Sequence, residues 1–356
     1  MKLGVMKTKL MQLPRSVLVG RDAIDDLDEV LRGLSLGEEA LVVADSTTID
    51  VAGNRDTEVL NQSFKTTSEI ITGATIEEVR RMENRIKELD SKFVVAVGGG
   101  RVIDVSKLAA KNRGVHFVSV PTAAAHDGIA SSRASIKEDG STVSKGANAP
   151  IAIIADTEII AGAPYRLLAS GCADIIAKYT SILDWELAYE KKKADEYSEY
   201  ASALSQMSAK IIMDSAETIK SGGEESVRKV VKALISCGVA MSIAGSSRPA
   251  SGSEHKFSHA LDLAAKSPAL HGEQCGVGTI MMMYLHGGDW RRIRDALISI
   301  GAPTTAGELG LADDLIIDAL VKAREIRPQR YTILEEKVLN QKQAEILACE
   351  TGVIGS

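Results

Sequence analysis

Aromatic residues are scarce in this chain of 356 residues, which has 4 Phe, 2 Trp and 7 Tyr. A buried core built from this sequence must therefore be mainly aliphatic. Hydrophobic residues still make up 45% of the chain and charged residues 25%, a balance typical of a globular protein that excludes a disordered one. At roughly 150 residues per domain, the length predicts about two domains.

The chain also lacks an excess of positive charge and any long apolar run. Its 42 basic and 48 acidic residues give a net charge of −6. A mildly acidic chain without a basic patch repels phosphate backbones, so we expect no nucleic-acid partner. No apolar run approaches about 18 residues, so we expect no membrane span. Lys2, Lys7 and Lys9 are not followed by the apolar segment of a signal peptide.

Cysteines are few, and none forms a C-x-x-C pair. The four are Cys172, Cys237, Cys275 and Cys349. This spacing indicates neither a cysteine-based zinc site nor a thioredoxin motif. A chain of this length does not need disulfides to fold, so we expect a reducing compartment, the cytoplasm.

Short aliphatic runs rich in β-branched residues recur over the first 160 residues. They cover residues 16–19, 40–44, 93–97, 116–120 and 151–155. Continuous apolar runs of this length predict strands buried on both faces of a parallel sheet. Between them, Thr75 and Glu78 predict a capping box at the start of a helix. Asp139-Gly140 predicts the turn of an antiparallel hairpin.

After Asp156 the strand-like runs end and helical patterns dominate, among them an apolar stripe containing Leu204, Met207 and Ile211. We therefore predict two domains. Residues 1–160 form an α/β domain with a mainly parallel, Rossmann-like sheet, and residues 161–356 form an all-α domain. A cleft between two such domains is a common ligand site.

The first candidate site is a glycine turn where the strand at 93–97 runs into Gly98, Gly99 and Gly100. Glycines let the backbone approach a ligand, and the N-terminus of the following helix favours an anion such as pyrophosphate. The segment is not G-x-G-x-x-G, because Ile103 stands at the third glycine position, and it is not a Walker loop. It is either a nucleotide-binding turn or a glycine-rich turn without a ligand.

Two further strand ends carry polar or small residues. Asp45 either accepts hydrogen bonds from a ribose or caps a turn. The loop at 121–132 is rich in small residues and hydroxyls, and it is either a cofactor cradle or a plain loop.

Three of the six histidines, His255, His259 and His271, fall within seventeen residues. His255 and His259 share one helix face, but Lys256 stands where a zincin needs Glu. Asp174 lies among small and apolar residues, where a carboxylate needs a partner. That partner is a metal, Lys178 at i+4, or a helix terminus. Asp174 with two histidines would leave one tetrahedral position open, as catalytic zinc requires.

These motifs, in this order over nearly the whole chain, resemble the superfamily of glycerol dehydrogenases, iron-type alcohol dehydrogenases and dehydroquinate synthases. The motifs are Gly98-Gly99-Gly100 with Asp104, Pro121-Thr122, the Gly-x-Ala-Asp stretch ending at Asp174, and the pair His255 and His271. The stretch 121–131 most resembles the archaeal-type sn-glycerol-1-phosphate dehydrogenases. The resemblance implies a dehydroquinate synthase-like fold.

The resemblance also implies NAD or NADP on the N-terminal domain and Zn²⁺ on the helical one. It assigns Asp174, His255 and His271 as metal ligands, and Asp127, Asp174 and His259 as substrate-contacting and catalytic residues. Iron-type enzymes carry another His four residues after the Asp, where this chain has Lys178, which favours a three-ligand zinc site. The cofactor-binding candidates, from the patterns above and the resemblance, are Asp45, Gly98, Gly99, Gly100, Arg101, Val102, Ile103, Asp104, Thr122 and Ser131.

The implied reaction is reduction of dihydroxyacetone phosphate by NAD(P)H to sn-glycerol 1-phosphate, the glycerophosphate unit of archaeal-type membrane lipids. Zinc acts on the C2 carbonyl as a Lewis acid, and a proton arrives through water or His259. The substrate phosphate needs a cation or a nest of backbone amides, and Lys145, Arg166 and Lys178 are all candidates for the cation.

Three alternatives stay open: a glycerol dehydrogenase acting on unphosphorylated substrates, a dehydroquinate synthase, and a non-catalytic nucleotide or sugar-phosphate sensor. We also expect a homo-oligomer, with the aliphatic segment 279–285 as a surface that could pack against a partner.

Overall fold

The computed structural model describes residues 10–194 and 196–355. Lys2, Lys7 and Lys9 lie outside the described residues.

A parallel sheet of six strands forms the N-terminal part, in the order β1-β8-β5-β4-β2-β3, and β6 pairs with β7 in a separate antiparallel ribbon. This arrangement confirms the predicted sheet. The strands are β1 (Ser16–Gly20), β2 (Glu39–Asp45), β3 (Lys65–Ile71), β4 (Phe93–Gly98), β5 (His116–Pro121), β6 (Arg133–Glu138), β7 (Ser141–Gly146) and β8 (Ala152–Asp156).

Four of the five predicted strands, β2, β4, β5 and β8, are largely buried in the sheet, whereas the fifth, β1, is a partly exposed edge strand. Every residue of β4 and of β8 is buried, because helices cover both faces of the sheet there. The edge strand β3 was not predicted, because its alternating sequence Lys-Thr-Thr-Ser-Glu-Ile-Ile contains no continuous apolar run.

The strand order creates a crevice between β2 and β4. The chain proceeds outward from β2 to β3, returns to the other side of β2 as β4, and continues through β5 to β8. In open α/β sheets, ligands bind at such a switch point, outside the carboxyl ends of the strands. Asp45 ends β2 and Gly98 ends β4, so two of the candidate cofactor segments flank this crevice.

The helices occupy both faces of the sheet and then all of the chain after β8. Beside them, a π-helical turn covers Ile49–Gly53 and 3₁₀ turns cover Ala23–Asp26, Asp127–Ile129, Arg248–Ala250 and Ala323–Glu325. The α-helices are α1 (Leu27–Leu34), α2 (Asn54–Leu60), α3 (Ile76–Glu88), α4 (Gly100–Arg113), α5 (Thr157–Ala161), α6 (Tyr165–Ile176), α7 (Lys178–Glu190), α8 (Glu199–Asp214), α9 (Ala216–Lys220), α10 (Glu224–Ala244), α11 (Ser253–Ala264), α12 (His271–Leu285), α13 (Trp290–Ile300), α14 (Ala306–Leu309), α15 (Asp313–Lys322), α16 (Ile333–Glu336) and α17 (Gln341–Glu350).

The predicted start of α3 is correct at its N-cap only. The Thr75 hydroxyl accepts a hydrogen bond from the Glu78 N–H at 3.3 Å. The Glu78 carboxylate does not return to the backbone of Thr75 and instead accepts from the N–H and hydroxyl of Thr72. The predicted hairpin is present, and Asp139 and Gly140 both have positive φ, as the tight turn between β6 and β7 requires.

One expectation about a helix surface is wrong, and the structure shows which way a second helix faces. Segment 279–285 lies in α12, whose residues from Gly272 to Met283 are buried among α6, α11 and α13, so it is not a free surface. Of the stripe on α8, Met207 and Ile211 are exposed and Leu204 is partly buried, while small residues such as Ser205 and Ala209 lie on the buried side of this helix, which packs against α10, α6 and α7. Within the described residues, no helix combines the length and the apolar character needed to cross a bilayer.

Candidate active site

Four potential metal-binding side chains from three helices converge in the helical part. Asp174 on α6, His255 on α11, and His271 and Cys275 on α12 have ligand atoms that all lie within 4.8 Å of one another. The His255 Nε2 atom is 3.7 Å from Asp174 Oδ1, and the rings of His255 and His271 are 4.9 Å apart between centroids. The structure thus brings together the three predicted ligands, which are 97 residues apart along the chain at the extremes (271 − 174).

Hydrogen bonds fix the orientation of both imidazoles. The buried Glu254 carboxylate lies 2.7 Å from His255 Nδ1, which leaves His255 Nε2 facing Asp174. The Ser258 hydroxyl lies 3.3 Å from His271 Nδ1, and His271 Nε2 faces Cys275 Sγ at 3.7 Å. Metal-binding histidines are held in this way, with one ring nitrogen occupied by a carboxylate or hydroxyl.

The protonation states also suit metal binding. Burial lowers the pKa of His255 well below its usual value and that of His271 to about 4, so both are neutral at neutral pH. Burial opposes ionisation of Asp174, but the adjacent Lys178 ammonium outweighs it and holds the Asp174 pKa well below its usual value. A carboxylate and two neutral imidazoles are donors that Zn²⁺ prefers.

Lys178 is the partner of Asp174, and it is completely buried. Its Nζ atom lies 2.8 Å from Asp174 Oδ1 and 2.8 Å from Asp127 Oδ2, and it donates to the Ala250 carbonyl at 3.2 Å. Asp174 therefore has both of the partners considered for it: it pairs with Lys178 four residues later, and it also lies among the potential metal ligands. At this position the chain places a charge-neutralising cation where iron-type enzymes carry a histidine.

Cys275 was not predicted as part of the site. It lies one helical turn after His271, and its thiol is completely buried. Burial raises its pKa well above the usual value, so the thiol is protonated in the absence of a metal. The His-x-x-x-Cys spacing at the start of a helix was the available signal, because residues i and i+4 share a face.

The loop from Thr122 to Ser131 connects the cofactor crevice with the metal-ligand cluster. The Asp127 N–H donates to Asp174 Oδ2 at 3.0 Å. Close approach of the loop to α6 depends on Gly171, since a Cβ there would lie 2.0 Å from the Ala124 carbonyl oxygen. A hydrogen bond thus links Asp127 and Asp174, the two acidic residues to which the resemblance assigns a substrate role.

His259 lies on the same face of α11 as His255 and borders the cluster. Its ring is 6.0 Å from that of His271, between centroids. Its Nδ1 atom is 3.5 Å from Asp262 Oδ2, and its Nε2 atom is 3.0 Å from Arg327 Nη2. Because a guanidinium only donates, His259 Nε2 accepts there and the ring proton is on Nδ1, next to Asp262.

Among the glycines of the candidate cofactor turn, Gly99 has open space beside it. A Cβ on Gly99 would meet no heavy atom within 4 Å, whereas one on Gly98 would lie 2.7 Å from Val102 Cγ2 and one on Gly100 would lie 2.0 Å from His126 Nε2. Gly98 and Gly100 are therefore needed for packing, and Gly99 is the residue with room for a ligand. The N-terminus of α4 starts there, which suits an anion.

The remaining cofactor candidates divide into exposed and buried groups. Asp45 Oδ1 accepts from the N–H groups of Thr47 and Thr48, and its Oδ2 lies 3.4 Å from Arg101 Nη2. Asp45 thus caps a turn, with one oxygen and the exposed Arg101 left at the crevice. The side chains of Val102 and Ile103 are completely buried, so only their backbone could touch a cofactor.

Asp104, Thr122 and Ser131 lie on the inner side of the crevice. Asp104 Oδ2 accepts from the Ser135 N–H at 2.9 Å, and Oδ1 is 3.3 Å from Lys107 Nζ, so its carboxylate holds the β6–β7 ribbon. The Thr122 N–H donates to the Gly98 carbonyl, which fixes this residue beside the glycine turn. A cavity of about 190 Å³ runs from Asp104 and Ser131 to the metal-ligand cluster.

The sequence of this chain is similar to those of known dehydrogenases. Residues 18–164 match the family described as iron-containing alcohol dehydrogenase. A Methanosarcina mazei protein named glycerol-1-phosphate dehydrogenase [NAD(P)+] is 55% identical over 99% of this chain and 100% of its own length. One of the same name from Methanococcoides burtonii is 56% identical over 97% of both chains.

Solved structures agree on the fold. The glycerol dehydrogenase of Schizosaccharomyces pombe superposes with a TM-score of 0.81 at 20% identity, covering 97% of this chain and 90% of that one. The matches to the two archaeal proteins extend over essentially the whole chain. This chain therefore belongs to the glycerol-1-phosphate dehydrogenase family.

Proposed function

We propose that this protein reduces dihydroxyacetone phosphate to sn-glycerol 1-phosphate with NADH or NADPH and bound Zn²⁺. The observation that best supports this proposal is the buried cluster of Asp174, His255 and His271, whose two histidines line the same cavity as the cofactor candidates Asp104 and Ser131. The names of its relatives supply the substrate and the cofactor. The product would supply the glycerophosphate unit of archaeal-type membrane lipids.

The proposal gives each part of the chain one task. Residues 1–160 bind the dinucleotide at the switch point of the sheet, and residues 161–356 hold the metal and the substrate. We propose a cytoplasmic enzyme and a homo-oligomer, with four free cysteines as support for a reducing compartment.

Asp174, His255 and His271 would hold the metal. When bound, Zn²⁺ polarises the C2 carbonyl and stabilises the negative charge that develops on its oxygen, while the reduced nicotinamide supplies the hydride. Glu254 keeps the His255 ring oriented with Nε2 toward the cluster. Lys178 keeps Asp174 ionised and fixes both Asp127 and Asp174 at the wall of the cavity.

His259 is the group of this chain that we assign to the proton delivered to the C2 oxygen. It borders the cavity beside His271, and Asp262 lies next to its Nδ1 atom, so a carboxylate can stabilise the imidazolium form. Release of Arg327 from His259 Nε2 opens that nitrogen for protonation.

The test is metal analysis combined with NADPH oxidation driven by dihydroxyacetone phosphate. We expect one Zn²⁺ per chain, phosphate-dependent turnover, and loss of both metal and activity in His255→Ala with the fold retained. Equal rates on dihydroxyacetone and on its phosphate would favour glycerol dehydrogenase instead. Full activity of His255→Ala without metal would refute the proposed mechanism.

A further inference from the structure

Three arginines meet at the active-site cavity without a counter-charge. Arg133 on β6 and Arg327 line the cavity that also contains His255, His259 and His271, and Arg330 lines its continuation. Within residues 10–194 and 196–355, no carboxylate oxygen lies within 4 Å of these guanidiniums, although Arg81, Arg85 and Arg166 elsewhere are paired in this way.

The pKa directions indicate the same lack of an anion. Burial lowers the pKa of Arg133, of Arg327 and of Arg330, the last to about 9; Arg133 lowers the pKa of Arg327 further, and at Arg330 the attraction of Glu254 does not outweigh burial and the neighbouring arginines. Burying unpaired cations is unfavourable, and a bound anion would offset this cost.

The acids that share the cavity are already paired. Asp127 contacts Lys178, Asp104 contacts Lys107, and Asp262 accepts from the Gln274 amide at 3.1 Å and adjoins His259. The positive charge of the arginines is thus not compensated within the site.

The three cations proposed from the sequence for the substrate phosphate are also paired. Lys145 lies 2.7 Å from Glu138, Arg166 binds Glu273 through two hydrogen bonds, and Lys178 lies between Asp127 and Asp174. None of the three lines the cavity of the metal-ligand cluster. The expectation that one of them binds the phosphate is therefore replaced by the arginine cluster.

The arginines are held in place from behind. The Arg133 carbonyl accepts from the buried Lys107 at 2.8 Å, and its guanidinium donates to the hydroxyl and carbonyl of Ser144. Arg327 has a left-handed backbone, with φ of 48°, a conformation that is unfavourable for a non-glycine residue and frequent at functional sites. Both side chains are therefore preorganised toward the cavity.

The short separation between the arginines and the metal-ligand cluster suits a small ketone phosphate. Arg327 contacts His259, and the His259 ring lies beside the ring of His271. Only the His259 side chain therefore lies between the Arg327 guanidinium and the metal-ligand cluster. In dihydroxyacetone phosphate, the carbonyl carbon and the phosphorus are separated by only a methylene and an oxygen. A carbonyl at the metal-ligand cluster therefore places its phosphoryl group near Arg327 and Arg133.

We propose that Arg133 and Arg327, supported by Arg330, bind the phosphoryl group of the substrate and set the preference for phosphorylated over unphosphorylated ketones. Guanidiniums bind phosphoryl oxygens through paired, charge-assisted hydrogen bonds. The assignment rests on the proposed function for the identity of the substrate, whereas anion binding at this place is independent of it.

The test uses the zinc-loaded full-length enzyme with Arg133→Ala and Arg327→Ala, and with Arg324→Ala as control, an exposed arginine of the same segment. We expect each of the first two to raise the KM for dihydroxyacetone phosphate by about 10- to 100-fold, as loss of a charged hydrogen bond implies. In the same two variants, the ratio of kcat/KM for dihydroxyacetone phosphate to kcat/KM for dihydroxyacetone should fall, while the KM for NADPH stays at the wild-type value. The control variant should keep wild-type values of all these constants.

A binding measurement separates this assignment from the proposed function. Calorimetric titration with inorganic phosphate needs no turnover, and its Kd should rise from wild type to Arg327→Lys and further to Arg327→Ala. If both alanine variants keep the wild-type KM and phosphate Kd, the assignment is wrong. It is also wrong if only the KM for NADPH rises, because the arginines then bind the cofactor. A wild-type enzyme that binds phosphate at this site but does not reduce dihydroxyacetone phosphate refutes the function alone.

Discussion

Replacing Lys178 by methionine removes the cation that contacts both Asp127 and Asp174 while keeping most of the side-chain volume. Both Nζ–carboxylate distances are 2.8 Å, and Lys178 and Asp174 are at most 1% exposed. Breaking such a buried pair by removing one partner typically costs about 3–5 kcal/mol, because the remaining charge stays buried. Against a total stability of about 5–15 kcal/mol, this loss is large.

The destabilisation should depend on the metal. In metal-free protein, Lys178→Met leaves Asp174 without its ammonium partner, whereas bound Zn²⁺ supplies positive charge to the same carboxylate. We therefore expect the loss of about 3–5 kcal/mol in the presence of a chelator and a clearly smaller loss with saturating Zn²⁺. The assay is urea denaturation followed by circular dichroism under both conditions.

Lys210→Met is the matched control. Lys210 and Asp214 form an i,i+4 pair on α8 with the same residue types, but both are about half exposed. Exposed pairs of this kind contribute about 0–1 kcal/mol, and the effect should not respond to Zn²⁺. Equal unfolding midpoints for Lys178→Met and wild type without metal, or a loss that Zn²⁺ leaves unchanged, would refute the role assigned to Lys178.

Three further predictions concern other sites. Gly99→Ala should leave the unfolding free energy nearly unchanged, because a Cβ at this position meets nothing within 4 Å. In steady-state kinetics it should raise the KM for NADPH about tenfold or more, and an unchanged KM would exclude Gly99 from the cofactor site. Glu254→Gln should weaken Zn²⁺ binding about 10- to 100-fold in a chelator competition, because His255 Nδ1 loses its carboxylate partner; unchanged affinity would contradict this role. Burial raises the pKa of Asp56 well above its usual value, so the contribution of Asp56 to stability falls as pH rises above about 4, where this residue ionises in the unfolded chain but not in the folded one. The unfolding free energy of Asp56→Asn, measured by urea denaturation, should therefore increase relative to wild type between about pH 4 and 7. A difference independent of pH would refute the raised pKa of Asp56.

The sequence was most informative where burial is complete. Strands such as β4 are buried on both faces and therefore appear as continuous apolar runs, whereas the half-exposed β3 does not. The stripe of Met207 and Ile211 on α8 has helical spacing, but spacing alone does not say which face of a helix packs inward. Here the small residues of α8 allow close packing against α10, and the large ones remain outside.

For the site, residue types predicted which side chains converge but not the groups that these side chains contact. Asp174, His255 and His271 stand out because charged or polar groups among apolar neighbours need a reason to be there. The phosphate-binding candidates could not be chosen, because a cation's availability depends on which acids fold next to it. Lys145 and Arg166 each meet a glutamate, whereas Arg133 and Arg327, far apart in sequence, meet none among the described residues.

The Lys178 ammonium between two carboxylates has a consequence for the biosynthesis of the enzyme. Classical zinc fingers fold only with their metal, because the site does not exist before binding. Here the ligand carboxylate is already neutralised by a side chain of the same chain, and the histidines are uncharged and oriented by Glu254 and Ser258. If the proposed Zn²⁺ site is correct, folding and metal binding would therefore be separable steps. The chain would complete its fold first and bind Zn²⁺ afterwards, and removing the metal with a chelator would not unfold it.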